Sequence, residues 1–154
     1  MPVKADYVWM DGRFVKWEDA KVHVMTRALH YGIGVFEGIR AYYANQSLGV
    51  FRLQDHMVRL IKSADVYRLK CSFTIDELCN ATLELLRKNN IRSSSYIRPL
   101  VYSSNIEVHL DTLNGSSSIA ICAFPMERLF AKPGLSVCVS SWRRIDDSST
   151  PPLA

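Results

Sequence analysis

The chain has 154 residues, 48% hydrophobic and 22% charged, with a formal net charge of +4 from 19 Lys and Arg against 15 Asp and Glu. This is the length of one domain, able to bury roughly 70% of its unfolded surface, and no run of about five basic residues points to a nucleic-acid surface, though a small anionic ligand stays open. No stretch approaches the roughly 18 apolar residues of a membrane span or the apolar core of a signal peptide, and Cys71, Cys79, Cys122 and Cys138 form no CxxC pair, so the expectation is a cytoplasmic, non-membrane protein with free thiols and no metal.

In chain order, DYVWM and RFV flank Asp11-Gly12, the strongest short-range hairpin signal. Residues 17–24 read as a loop leading to a short strand at 22–25. Residues 25–40, MTRALHYGIGVFEGIR, read as one wall of a pocket: Gly32 and Gly34 loosen a turn, and a strand over 35–43 follows. On that strand Phe36, Gly38 and Arg40 point to one side, and Glu37 and Ile39 to the other. A glycine between an aromatic and a cation leaves room for a ligand to approach. The blander alternative, a strand with a bulge glycine, is favoured by spacing alone. After a polar turn at 45–47, residues 49–53 return as a strand.

Met57, Leu60, Ile61 and Ala64 recur at helical spacing over 54–68. Arg59 lies roughly opposite that stripe, where phase alone puts it in solvent. Thr74-Ile75-Asp76-Glu77 has the form of a capping box, and Ile75, Leu78, Leu85 and Leu86 give a second helix an apolar face before Asn89-Asn90. Residues 95–103 read as a strand with Tyr96, Arg98 and Tyr102 on one side, and Pro99 suggests an edge or a bulge. A polar loop at 104–117, a strand at 118–124, a connector ending near Gly134 and a strand at 135–142 complete the pass. The tail RRIDDSSTPPLA has no period, an odd place for a domain to end, so more chain is expected beyond Ala154. The order of elements indicates an α+β fold, a mostly antiparallel sheet with two helices.

HYGIGVFEGIRAY, FRLQDHMVRLIKSA, SYIRPL and VSSWRRIDDSSTPPLA, in this order along essentially the whole chain, resemble the branched-chain amino-acid aminotransferases, fold type IV pyridoxal-phosphate enzymes. The resemblance implies a small N-terminal domain over 1–125, an interdomain connector over 126–134 and the first strand of a large cofactor-binding domain over 135–154. It implies an enzyme of branched-chain amino acid biosynthesis that transfers an amino group between a hydrophobic amino acid and 2-oxoglutarate. It assigns Arg59 to the phosphate of pyridoxal 5'-phosphate, which an arginine fork can grip with two charge-assisted hydrogen bonds. Phe36 would line the hydrophobic side-chain pocket, and Tyr96 and Arg98 would bind substrate carboxylates. Arg40 lies near them. Tyr31 matches the position that reaches into a neighbouring subunit's site, which implies a homodimer or higher homo-oligomer.

The chain departs from the family pattern in three places. The loop 104–112 lacks a glycine-rich form, which bears on Leu110 as a pocket residue. Met126 and Leu129 stand where some members carry aromatics. The Schiff-base lysine has no counterpart here and is expected just after Ala154. Lys21, Lys62, Lys70 and Lys88 sit in polar or helical contexts that read as solvated surface, Lys132 lies in the connector, and His23, His30, His56 and His109 form no nucleophile triad. Two alternatives remain: a D-amino-acid or (R)-amine transaminase of the same fold, and a truncated, non-catalytic domain that dimerises or binds.

Overall fold

The computed structural model describes residues 5–107, 115–126, 134–146 and 148–149. Its centre is a seven-stranded antiparallel sheet in the order β2-β1-β7-β6-β4-β5, with β3 also pairing β6. The strands are β1 (Tyr7–Met10), β2 (Arg13–Lys16), β3 (Gly34–Phe36), β4 (Ile39–Ala44), β5 (Ser47–Val50), β6 (Ser95–Ser103) and β7 (Ser117–Pro125). The helices are α1 (Arg27–Tyr31), α2 (Leu53–Val66) and α3 (Ile75–Lys88). None of them is long and apolar enough to cross a membrane.

Local chemistry explains most of these boundaries. Asp11 and Gly12 both take positive φ, 45° and 87°, and close β1 onto β2 with Met10 opposite Arg13. Asn45 and Gln46 do the same for β4 and β5. The Thr74 hydroxyl accepts from the Glu77 N–H, and the Glu77 carboxylate accepts from the Thr74 N–H at 2.7 Å, so the capping box is complete. Met57, Leu60 and Ala64 on α2 and Leu78, Leu85 and Leu86 on α3 are buried against Ile39, Ile97, Val101, Ile119 and Ile121 of the sheet. Burying one such side chain contributes about 1.5–3 kcal/mol. Both long helices lie on one sheet face, and the other face carries the alternate residues Phe36, Tyr96, Arg98 and Cys122.

Four expectations are corrected. Pro99 is on a central strand, because β6 is flanked by β7 on one side and by β3 and β4 on the other. The Pro99 carbonyl accepts from the Glu37 N–H at 3.0 Å, but proline has no N–H to return the bond. Residues 34–36 and 39–41 keep one register against β6, so this missing bond divides a single run of chain into β3 and β4. No strand forms at 22–25; there the His23 ring and carbonyl accept from the Met25 and Thr26 N–H groups and hold a turn. What reads as a loose glycine turn contains α1, closed by Gly32 at φ 65° with its N–H on the Ala28 carbonyl. Residues 135–142 form no strand, since no described strand pairs with them and the Trp142 N–H turns back to the Ser140 hydroxyl at 3.1 Å; Val137, Val139 and Trp142 are 89%, 100% and 90% exposed.

Candidate functional site

The run Phe36-Glu37-Gly38 lies where β3 passes into β4, and its alternation sends functional groups to both faces of the sheet. On the open face the Arg98 guanidinium lies 4.2 Å from the centre of the Phe36 ring and 5.2 Å from that of Tyr96. These are cation–π distances. Arg98 Nη2 donates to the Tyr96 hydroxyl at 2.8 Å, while its Nε is buried without a hydrogen-bond partner. A buried, undersatisfied guanidinium donor makes an anion the natural ligand here. Gly38 creates the space: a Cβ there would collide with the Tyr96 hydroxyl and lie 3.2 Å from the Tyr96 Cζ. Arg40 pairs with Tyr96 in register, with its guanidinium 5.7 Å from the Tyr42 ring centre. The Phe36 ring is exposed, and the Tyr96 and Phe124 rings sit 5.7 Å apart. Phe36, Gly38, Arg40, Tyr96 and Arg98 thus share one face, as their alternation predicts.

Arg59 lies on the helix side of the same strand run. Its Nε donates to Glu37 Oε1 and its Nη2 donates to Glu37 Oε2 at 2.6 Å. His56 Nδ1 is 2.9 Å from Glu37 Oε2. The two partners differ sharply in exposure, the Arg59 side chain at 66% and that of Glu37 at 7%. Burial pushes the Glu37 carboxyl up, but hydrogen bonds from Arg59 and His56 and the charges of both outweigh it and hold the group below the usual carboxylate range. The hydrogen bond to Glu37, and then its charge, raise the Arg59 pKa further.

Helical phase places Arg59 in solvent, and the exposure agrees; the carboxylate beneath it is what phase alone misses. The signal is present in the sequence, since a glutamate on the side of the strand shared with Ile39 faces the core and requires a cation.

Glu37 takes the Nε–Nη2 edge of the guanidinium and leaves Nη1 outside that pair, and Arg59 lines a cavity of about 320 Å³ together with Phe51, Arg52, Asp55 and His56. Arg52 is held there by Asp55 at 2.7 Å. This donor set fits a phosphate, a group that an arginine can bind through an edge left free by a first carboxylate.

The remaining candidates stand apart from this cluster or outside the described residues. Tyr31 is the last residue of α1, 45% exposed. Met126 follows β7, with its N–H on the Ser94 carbonyl at 3.0 Å. Leu110, His109, Leu129 and Lys132 lie outside the described residues. Among the described lysines, Lys88 holds its ammonium 4.5 Å from the Tyr7 ring centre, on the β1 side of the sheet.

Comparison with known proteins adds an independent line. Residues 34–154 match the family Amino-transferase class IV. The chain is 44% identical over 156 aligned positions to a branched-chain-amino-acid aminotransferase of Escherichia coli K12, covering 98% of this chain and 50% of that protein. It superposes with a TM-score of 0.90 and 43% identity on a branched-chain aminotransferase of Thermoproteus uzoniensis solved with norvaline, over 96% of this chain and 50% of that one. A branched-chain amino acid aminotransferase of Thermobaculum terrenum, solved in its PLP-bound holo form, superposes with a TM-score of 0.83 at 36% identity, over 96% of this chain and 49% of that one. The chain spans about half the length of these relatives.

Proposed function

The chain belongs to the class IV aminotransferase family, and from that premise we propose that it supplies the amino-terminal half of an enzyme that transfers an amino group between a branched-chain amino acid and 2-oxoglutarate. Pyridoxal 5'-phosphate, when bound, supplies the electron sink for chemistry at the substrate's α-carbon. The residues of this chain bind and orient. Arg59 holds the phosphate through the Nη1 side of its fork. Phe36 presents its ring to the apolar side chain of the amino donor, and Arg98, steadied by Tyr96, takes the second carboxylate of 2-oxoglutarate or glutamate. Arg40 extends the same face, and the family pattern assigns Leu110 and Met126 to substrate binding as well. The lysine that moves the proton is assigned to none of this chain's lysines.

The observation that carries this reading is Arg98, packed over Phe36 and Tyr96 with its Nε buried and unpartnered, while the Tyr96 hydroxyl that it holds is seated against Gly38. One site must accept an apolar side chain and a carboxylate in turn, and here an aromatic ring and a cation are stacked at 4.2 Å. Residues 1–125 form the small domain, 126–134 the connector and 135–154 the start of the large domain. The exposed Val137, Val139 and Trp142 find partners in that second domain. Tyr31, exposed at the end of α1, reaches the site of a second copy in a homodimer. A cytoplasmic setting is part of the same proposal.

Steady-state kinetics on Arg98→Ala test the assignment. Loss of a charge-assisted contact of about 1.5–3 kcal/mol is expected to raise KM for 2-oxoglutarate roughly ten- to a hundredfold while KM for leucine changes little. Equal shifts for both substrates would show that Arg98 does not discriminate between them.

A further inference from the structure

We infer that Glu37 is a positioning residue for the cofactor phosphate, clamping the Arg59 guanidinium in the plane from which its Nη1 side meets that anion; this rests on the assignment of Arg59 to the phosphate. An arginine side chain exposed to the extent of Arg59 has many rotamers, and ordering it on binding costs affinity. Glu37 removes that freedom beforehand by accepting from Nε and Nη2 together, a geometry that fixes the guanidinium plane as well as its position.

The clamp is itself anchored. The Glu37 N–H bonds the Pro99 carbonyl at 3.0 Å, tying the residue to the middle of β6, and His56 Nδ1 braces Oε2 at 2.9 Å. Because Phe36 is the preceding residue on the same strand run, the phosphate anchor and the wall of the substrate pocket are held in fixed relation through one peptide unit.

The opposite role, a carboxylate that competes with phosphate for the arginine, fits the geometry less well. Glu37 uses one edge of the fork and leaves the other, so phosphate need not displace it. Leaving would also strand a buried carboxylate, a costly state.

The test uses the full-length protein freed of cofactor and titrated with pyridoxal phosphate and with pyridoxal, which lacks the phosphate. The ratio of the two Kd values reports phosphate recognition alone, and a purely structural defect would lower both affinities together. Arg59→Ala is expected to abolish most of the preference for the phosphorylated ligand. Glu37→Gln, of nearly the same size, is expected to lower that preference roughly tenfold, a factor within the rotamer freedom of an arginine. The double variant should discriminate no worse than Arg59→Ala alone. Glu37→Asp is made alongside as a second variant in case Glu37→Gln does not fold; it keeps the charge but draws it back by one methylene, and part of the preference should be lost. A full effect of Arg59→Ala with an unchanged or increased preference in the folded Glu37 variants would overturn the inference and leave the phosphate assignment standing. An unchanged preference in Arg59→Ala would overturn the phosphate assignment, and the inference with it.

Discussion

Residue 38 has no side chain because the Tyr96 hydroxyl, held by Arg98 at 2.8 Å, occupies the place where a Cβ would go. Gly38→Ala therefore makes a specific prediction: the tyrosine ring must swing away, breaking its bond to Arg98 and disturbing the carboxylate site, while the core behind the strand stays intact. KM for 2-oxoglutarate is expected to rise by about tenfold, with stability reduced by only ~1–3 kcal/mol, the usual cost of overpacking. Unchanged kinetics would mean that the Tyr96–Arg98 contact is not needed for substrate binding. The shared face of Phe36, Gly38, Arg40, Tyr96 and Arg98 is legible from alternation alone, since a strand's period of two leaves no freedom in the matter. The partnership of Glu37 with Arg59 is not, because a residue on β3–β4 and one on α2 meet only once the helix has packed on the sheet.

At the scale of elements, the best-read features are those in which the deciding chemistry is local. The Thr74 and Glu77 side chains each accept from the other residue's backbone N–H within one turn, so the start of α3 is visible in four letters of sequence. Thr74→Ala is expected to destabilise the fold by about 1 kcal/mol in urea denaturation, with no change in the relative affinities for pyridoxal phosphate and pyridoxal; a loss below a few tenths would show that the cap is redundant with the packing of Leu78 and Leu85. Elements fixed by distant partners read poorly. Pro99 suggests an edge, yet its effect falls on the neighbouring strand, where the unreturned bond to Glu37 splits β3 from β4. Residues 135–142 have the composition of a strand, and composition cannot supply a pairing partner. α1 is only five residues long, too short for hydrophobic periodicity to register, and Gly32 as its left-handed cap is its one clear signal.

For the molecule as a whole, the antiparallel sheet divides two kinds of work. One face, covered by α2 and α3, makes the core and at its margin holds the Glu37–Arg59 clamp; the other presents Phe36, Tyr96 and Arg98, with residues 20–29 lying over its Tyr102 and Ala120 part. The antiparallel architecture and the long helices follow from hydrophobic period and turn chemistry. The placement of Arg59, proposed for the phosphate, and Arg98, proposed for the substrate carboxylate, on opposite sides of one strand run is a property of the folded sheet. Arg59 and Arg98 are proposed as the two anchors for amino-group transfer from a branched-chain amino acid. The most direct test incubates the full-length protein with pyridoxal phosphate, 2-oxoglutarate and either L-leucine or D-leucine, and quantifies glutamate and 4-methyl-2-oxopentanoate. Both products are expected in equal amounts from L-leucine; no transfer from L-leucine at saturating cofactor would contradict the proposed reaction, and turnover of the D-enantiomer alone would replace it with the D-amino-acid alternative.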